Sequence, residues 1–287
     1  MSALHWIATS AVCFGIVACG PQGRERNGTG DDDDDGTTAG QSGPENSVAA
    51  CSDGVDNDND GLTDCSDPEC SGIGTCPICG MITHPLGSPL ALPDGMGAGP
   101  PYTSKLSFMA FAQGATIQSG RDIQSVCVTM EHTWIRDLQI ELHAPTSEVL
   151  VLQKMLGRDG DEIFLGKAND CDDAEHPQPG VGAEYCWTPT ASNPPMLTYA
   201  NDGMQMTKLS AAHEVPFAGC VTGSIDELPP GDYQASGSWD GLVGASLNGD
   251  WEIFVQDQWE EDNGFIFQWS IAFDPALVTD CSGPVIE

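Results

Sequence analysis

The sequence predicts an all-β protein, and three of its features support that fold class. Between residues 92 and 276, short apolar or alternating runs are separated by Gly, Pro, Asn and Asp, a pattern typical of strands joined by turns. No long segment with helical periodicity competes with these runs. The chain of 287 residues contains twelve cysteines, enough for disulfides to brace the loops. We therefore expect a β-rich domain over residues 92–276.

Five segments carry the strand pattern most clearly. They are residues 125–130, 138–142, 149–152, 251–255 and 265–273. In the fourth segment, alternation places Trp251, Ile253 and Val255 on one face, and Asn248-Gly249 provides a tight turn before it. That face is predicted to point into a core.

The amino terminus predicts export from the cell. Residues 4–18 are mostly apolar but too few for a comfortable membrane span, so residues 1–18 are interpreted as a signal peptide. They lead into Val-Ala-Cys19-Gly, which resembles the lipobox of bacterial lipoproteins. The resemblance implies lipidation of Cys19 and anchoring to the bacterial outer membrane or cell surface. Because His5 but no Lys or Arg precedes the apolar run, an ordinary secretory signal and a secreted protein are the alternative.

The chain is strongly acidic, with 43 Asp and Glu, nine Lys and Arg, and a net charge of −34. Such a polyanion repels phosphate backbones and anionic headgroups, so we expect no nucleic-acid partner and membrane contact through the lipid anchor alone. Divalent cations, calcium (Ca²⁺) first, are the favoured partners. Residues 19–50 contain the aspartate run 31–35 and almost nothing apolar, and are predicted to be a disordered acidic tether.

Residues 51–80 form a Cys- and Asp-rich segment with the spacing of a twelve-residue calcium loop. Counted from Asp56, side-chain oxygens fall at loop positions 1, 3, 5, 9 and 12, glycine occupies position 6, and position 7 offers its backbone carbonyl. The predicted ligands are Asp56, Asp58, Asp60, the carbonyl of Leu62, Asp64 and Asp67.

Two features distinguish this aspartate loop, residues 56–67, from an EF-hand. Position 12 is Asp67 instead of Glu, and neither flank shows an amphipathic helix. The loop resembles the disulfide-braced Cys-Asp-Gly-Asp-Asn-Asp-Asp-Gly-Asp-Cys metal-binding motif of secreted bacterial proteins. The alternative is an acidic turn that disulfides hold without an ion.

Ten cysteines remain once the signal peptide and Cys19 are set aside, and export favours disulfides over free thiols. They are Cys51, Cys65, Cys70, Cys76, Cys79, Cys127, Cys171, Cys186, Cys220 and Cys281. Spacing does not assign their pairing. Cys76-Pro-Ile-Cys79 with His84 nearby also suggests a redox pair or half of a zinc site, but structural disulfides are the favoured interpretation.

Three blocks of the β-rich region resemble the P domain, or Homo B domain, that follows the catalytic domain of proprotein convertases and many secreted bacterial proteases. Residues 126–145 contain His-Thr, an aromatic residue, Asp-Leu, alternating apolar residues and a Pro turn. Residues 247–257 are Leu-Asn-Gly-Asp-Trp-Glu-Ile-Phe-Val-Gln-Asp, and residues 262–273 are Asp-Asn-Gly-Phe-Ile-Phe-Gln-Trp-Ser-Ile-Ala-Phe. No protease domain accompanies them in this sequence.

The resemblance implies a jelly-roll-like β-sandwich, with disulfide-braced loop insertions between about residues 158 and 234. In calcium-binding members, acidic residues near the Asp-Leu and Val-x-Asp positions supply ligands. This implies Asp137, Asp257 and Asp262 as metal ligands, with turn-capping carboxylates as the alternative. His132 is expected to be a hydrogen-bonded core residue.

The sequence favours a binding module over an enzyme. It contains no Gly-x-Ser-x-Gly elbow, no His-Glu-x-x-His helix, no phosphate-binding glycine loop and no dinucleotide fingerprint. We expect a cell-envelope lipoprotein that binds protein or glycan, with Trp187, Trp239 and Trp259 as candidate exposed contacts. Core packing or rim contacts are the alternative, and commoner, role for any one of these tryptophans. The alternatives are a purely structural envelope component and a cryptic metal-dependent hydrolase. The candidate residues for that hydrolase are Asp170, Asp172, Asp173, Glu175 and His176.

Overall fold

The computed structural model of the chain describes most residues from Glu45 to the carboxyl terminus. These are residues 45–93, 100–157, 160, 162–170, 176–202, 204–210, 224–259, 262–279, 281 and 285–286. The signal peptide, Cys19 and most of the predicted tether lie outside them. No helix among these residues is long and apolar enough to cross a membrane.

Thirteen strands and one short helix form the described part of the chain, with several single turns of 3-10 helix. The strands are β1 (Met81–Ala91), β2 (Tyr102–Phe108), β3 (Ile123–His132), β4 (Leu138–His143), β5 (Val149–Gln153), β6 (Ile163–Leu165), β7 (Ala183–Trp187), β8 (Thr207–Ser210), β9 (Ser224–Leu228), β10 (Gly231–Tyr233), β11 (Gly249–Asp257), β12 (Gly264–Phe273) and β13 (Val285–Ile286). The helix is α1 (Met196–Asn201).

The strands form two sheets, as the predicted all-β sandwich requires. The first sheet has the order β1-β12-β3-β6-β9-β8, and β7 pairs with both β3 and β10. The second sheet has the order β13-β2-β11-β4-β5. Most neighbouring strands are non-consecutive in sequence, the exceptions being β4-β5 and β8-β9. The fold class predicted from the sequence is confirmed.

The main core draws side chains from both sheets. Along β11 the predicted alternation is present: Trp251, Ile253 and Val255 are buried, and the residues between them are partly exposed. Trp269 of β12 and Trp187 of β7 are also fully buried. Burial of large apolar side chains contributes roughly 1.5–3 kcal/mol each, so these tryptophans are major contributors to the stability of the sandwich.

Two segments differ from their predicted character. Residues 81–91, which the sequence analysis assigned to neither domain, form β1 and pair with β12 at the edge of the first sheet. The predicted insertion between residues 158 and 234 contains α1 and the strands β6 to β10, not only loops. Both segments lack the clear alternation that identified β11.

Four disulfides connect the described residues. They are Cys51–Cys70, Cys65–Cys76, Cys79–Cys281 and Cys127–Cys186. The first two lie within the Cys- and Asp-rich segment, the third joins the start of β1 to the chain after β12, and the fourth joins β3 to β7. Cys171 and Cys220 lie outside the described residues.

Candidate functional site

The aspartate loop brings three carboxylates together. Oxygens of Asp56, Asp58 and Asp60 all lie within 4.8 Å of one another. The turn between them uses left-handed backbone at Asn59, with φ of 64°, and at Gly61, with φ of 101°. Asn and Gly tolerate this conformation better than other residues. The three side chains present hard oxygen donors and could hold a metal ion.

Hydrogen bonds from the backbone orient these carboxylates. Asp56 accepts the N–H of Asn59 through Oδ1 at 2.6 Å and the N–H of Gly61 through Oδ2 at 3.1 Å. Asp60 accepts the N–H of Leu62 through Oδ1 at 2.8 Å. Asp58 accepts the N–H of Asp60 at 3.1 Å. The carboxylates are thus fixed by their own turn at the spacing that the sequence predicts for loop positions 1, 3 and 5.

The ligands predicted at positions 9 and 12 have different partners. Both carboxylate oxygens of Asp64 lie 3.1 Å from the backbone nitrogen of Gly54. Asp64 is not in the group whose oxygens converge within 4.8 Å. Asp67 caps the next turn by accepting the N–H of Glu69 at 2.7 Å. Its other oxygen, Oδ2, is buried and has no hydrogen-bond partner among the described residues.

The charges of the loop aspartates nevertheless affect the pKa of Asp67. Burial raises the pKa of Asp67, and the nearby charges of Asp60, Asp58 and Glu45 raise it further, against the lowering effect of the bond from Glu69. A cation among these carboxylates would relieve this repulsion. Asp67 therefore lies next to the candidate metal group, although it does not belong to the set whose oxygens converge within 4.8 Å.

Glu45 is the residue of this site that sequence reasoning missed. It lies in the segment predicted to be a disordered tether, yet its side chain is fully buried. Oε1 accepts the N–H of Asn57 at 2.7 Å, and Oε2 accepts the N–H of Asp64 at 2.9 Å. Glu45 therefore contacts the loop, although it falls within the range predicted to be a tether.

Disulfides replace the helices that flank an EF-hand loop. Cys51–Cys70 closes the loop from both ends, and Cys65–Cys76 ties its second half to the chain before β1. Cys76 and Cys79 do not pair with each other, so the Cys-x-x-Cys spacing does not form a redox pair. Cys127, Glu184 and Cys186 also lie close together, but the two sulfurs are bonded to each other.

The metal ligands that the P-domain resemblance implies, Asp137, Asp257 and Asp262, lie in two separate places. Asp137 and Asp257 are both buried near His132. The Nδ1 of His132 accepts the N–H of Trp134 at 2.9 Å, so Nε2 carries the proton toward Asp257 Oδ2 at 3.1 Å. Burial lowers the pKa of His132, but the hydrogen bond and charge of Asp257 and the charges of Glu131 and Asp137 outweigh it, so the pKa is raised.

Asp262, the third of these predicted ligands, lies near a different carboxyl group. Burial raises the pKa of Glu162 to about 7, and the charges of Asp170 and then Asp262 add to the effect. Within the described residues, Asp137, Asp257 and Asp262 do not converge as the three loop aspartates do. Of the candidate hydrolase cluster, Asp170 and His176 are described, whereas Asp172, Asp173 and Glu175 lie outside the described residues.

The three tryptophans predicted as exposed contacts have different environments. Trp187 is fully buried in β7, so it has the core-packing role that the sequence analysis gave as the alternative and is not an exposed contact. Trp259 is 37% exposed. Trp239 is partly buried and lines a polar groove together with Arg121 and Asp240. Sequence alone could not bring Arg121 together with the adjacent pair Trp239 and Asp240, because Arg121 comes from a separate loop.

Comparison with known proteins gives little further information. No protein-family model matches the chain, and no curated protein matches it. Two solved structures of the serine protease of Aeromonas sobria, one of them in complex with the chaperone ORF2, are similar over 69% of the chain. Their identities are 15% and 14%, and the TM-scores are 0.26 and 0.27. The match covers 27% and 28% of those chains, so this chain spans about a quarter of their length.

Proposed function

We propose that this protein is a cell-envelope lipoprotein that displays a calcium-stabilised, P-domain-like β-sandwich for binding protein or glycan. The observation that carries the proposal is the convergence of Asp56, Asp58 and Asp60 in a loop closed by two disulfides. A disulfide-closed acidic loop suits an oxidising compartment outside the cytoplasm. In this proposal, the loop is a metal-dependent brace and the sandwich is the part that binds a partner.

Calcium is the proposed ion because the converging donors are all carboxylate oxygens. Calcium accepts six to eight oxygen ligands in flexible geometry, and the charges of Asp58 and Asp60 act on the nearby buried carboxyl group of Asp67. Zinc and copper favour histidine and cysteine, and the sulfurs of this segment are engaged in disulfides. We expect a dissociation constant of about 10⁻⁴ to 10⁻³ M, as in extracellular calcium modules.

The P-domain assignment of the sandwich is supported by where its three sequence blocks lie. The first block forms β3 and β4, the second forms β11, and the third forms β12. In space, β12 pairs with β3 and β11 pairs with β4. The residues that carry the resemblance therefore form two adjacent strand pairs, one in each sheet.

The environment of His132 favours a binding function over catalysis. His132 is fully buried, with both ring nitrogens engaged by Trp134 and Asp257. A general base must reach the proton that it removes, and this ring has no such access. We propose that His132 and Asp257 stabilise the sandwich core.

Calcium titration calorimetry tests the proposed metal site. The unmodified protein should bind calcium in the range given above, and the variant Asp58→Ala, Asp60→Ala should lose that site. The matched control is Asp202→Ala, Asp232→Ala, which removes two exposed aspartates elsewhere in the chain and should bind calcium normally. Equal calcium binding by the parent and the loop variant would reject the site.

Fractionation tests the proposed anchor. The protein expressed in a bacterial host should be found in the membrane fraction, with diacylglycerol on Cys19 detectable by mass spectrometry, whereas Cys19→Ser should be released into the soluble exported fraction. Release of the unmodified protein without lipid would favour the alternative of a secreted protein.

A further inference from the structure

A polar groove lies where three loops of the sandwich meet. Its walls come from residues 119–121 before β3, Thr188 after β7, and residues 234–240 after β10. Its volume is about 360 Å³, within the range of about 300–1,000 Å³ for small-ligand sites. No residue of the aspartate loop takes part, so the groove is separate from the candidate metal group.

Trp239 is held firmly at this groove. It begins the short turn Trp239–Leu242 and packs against the main core while also lining the groove. Gly120 lies directly against it, since a Cβ added at Gly120 would be 2.6 Å from the Cβ of Trp239. Indole is a large, rigid surface with one polar edge. An immobilised, partly exposed tryptophan is therefore suited to stacking against a flat ligand ring.

The other groove residues supply hydrogen-bonding groups around Trp239. Arg121 and Asp240 are exposed, and neither side chain has a partner among the described residues. Gln234 is fixed by a bond from its Nε2 to the carbonyl of Ala191 at 3.2 Å. Guanidinium, carboxylate and amide groups can each make paired hydrogen bonds to neighbouring hydroxyls. This combination of an aromatic platform with planar polar groups complements a sugar ring.

The charge of the groove selects among ligands. Arg121 and Asp240 balance each other, while the whole chain carries −34, so a polyanionic glycan would be repelled at long range. A protein partner usually needs about 800 Å² of surface on each side and apolar anchor pockets, which this mainly polar groove does not provide. Asp240 is the one carboxylate among the described lining residues, whereas glycoside hydrolysis generally uses two.

From these observations we infer that the groove binds a neutral oligosaccharide, with a sugar ring stacked on Trp239 and its hydroxyls bonded to Arg121 and Asp240. The inference rests on the proposed binding function and specifies the ligand class. It assigns the groove to recognition without cleavage.

Calorimetry with neutral tetrasaccharides tests this inference. The probes are cellotetraose, xylotetraose, mannotetraose and chitotetraose at millimolar concentration, titrated into the full protein and into three single variants. At least one probe should bind the parent. The affinity for that probe should fall about tenfold or more in each of Trp239→Ala, Arg121→Ala and Asp240→Ala, as expected for central contact residues. The matched control is Lys105→Ala, which removes a cation of β2 that does not line the groove. This variant should bind the probe like the parent.

The two variants at exposed residues, Arg121→Ala and Asp240→Ala, show whether a loss of sugar binding is caused by misfolding. Trp239→Ala removes core packing, but Arg121→Ala and Asp240→Ala do not. Unchanged affinity in those two variants, or no binding of any probe by the parent, would overturn the inference. So would a captured protein partner that requires Trp239 and Arg121. Calcium binding is measured in the same samples. If no sugar binds but calcium still binds, the groove assignment is overturned and the proposed metal site stands.

Discussion

At the scale of single residues, Glu45 holds the aspartate loop through hydrogen bonds to its backbone, without a bound ion. Its fully buried carboxylate accepts the N–H groups of Asn57 and Asp64. One donor, Asn57, lies between Asp56 and Asp58, and the other, Asp64, follows the three converging aspartates. One side chain therefore connects the first part of the aspartate loop to the segment that follows Asp60.

Removing this side chain should loosen the loop. Glu45→Ala leaves two backbone donors without their acceptor, at a cost of roughly 1–3 kcal/mol for each one that stays buried. We expect the amides of Asn57 and Asp64 to exchange hydrogen faster and calcium to bind more weakly. Hydrogen exchange measured by nuclear magnetic resonance checks the first effect.

Glu69→Ala is the matched control for this change, because Glu69 is exposed in the same segment. Its exchange pattern should be that of the parent. If the two amides stay equally protected in Glu45→Ala, Glu45 does not hold the loop.

Glu162 gives the protein a defined pH dependence. Its pKa of about 7 lies above the ordinary value of 4.5 because burial and the charges of Asp170 and Asp262 disfavour the carboxylate. The folded state thus binds a proton that the unfolded chain releases between these two pH values. Stability contributed by Glu162 is present below about pH 4.5 and is lost as the pH rises through about 7.

Glu162→Gln should remove this contribution to the pH dependence. In chelator, urea unfolding of the parent should lose more stability between pH 5 and pH 8 than that of the variant, and the variant should gain relative stability at pH 8. Glu184→Gln, which changes an exposed glutamate of β7, should follow the parent. Parallel pH profiles for Glu162→Gln and the parent would show that Glu162 is not buried as described.

At the scale of elements, the Cys79–Cys281 disulfide connects the start of β1 to the chain beyond β12. Its two cysteines are 202 residues apart, whereas those of Cys65–Cys76 are 11 apart. In the chain-entropy model, closing these loops stabilises the fold by about 5 and about 3 kcal/mol respectively.

Replacing each pair by serine should therefore give unequal losses. Cys79→Ser, Cys281→Ser should lower the free energy of unfolding of the sandwich by several kcal/mol. Cys65→Ser, Cys76→Ser should mainly affect the aspartate loop and leave the sandwich close to the parent. Chemical denaturation followed by tryptophan fluorescence reports on the sandwich, since Trp187, Trp251 and Trp269 lie in its core. Equal losses for the two pairs would contradict this assignment.

The strands differ in how far sequence could predict them, and β11 and β1 mark the extremes. β11 alternates buried and partly exposed residues because one face packs on the core, so its pattern is visible locally. β1 contains Pro85, Gly87 and Pro89, and its register with β12 shifts between Pro85 and Leu90. Proline is tolerated at a sheet edge, and only the neighbour β12 makes this segment a strand.

At the scale of the whole molecule, the same distinction applies to the candidate sites. The convergence of Asp56, Asp58 and Asp60 follows from local spacing and could be predicted. Glu45 acts across twelve and nineteen residues, and no local pattern marks it. The groove at Trp239 depends on loops that lie far apart in the sequence, and the disulfide pairing depends on the fold that brings the cysteines together.

The measurement that tests the central claim most directly is calorimetric unfolding of the purified full-length protein, in chelator and in 10 mM calcium, alongside Asp58→Ala, Asp60→Ala. A dissociation constant of about 10⁻⁴ to 10⁻³ M predicts that calcium adds about 1.4–2.7 kcal/mol to the parent. The loop variant should show no such gain. A gain of equal size in the variant would place the ion elsewhere in the molecule, and no gain in the parent would contradict the claim that a metal ion stabilises this protein.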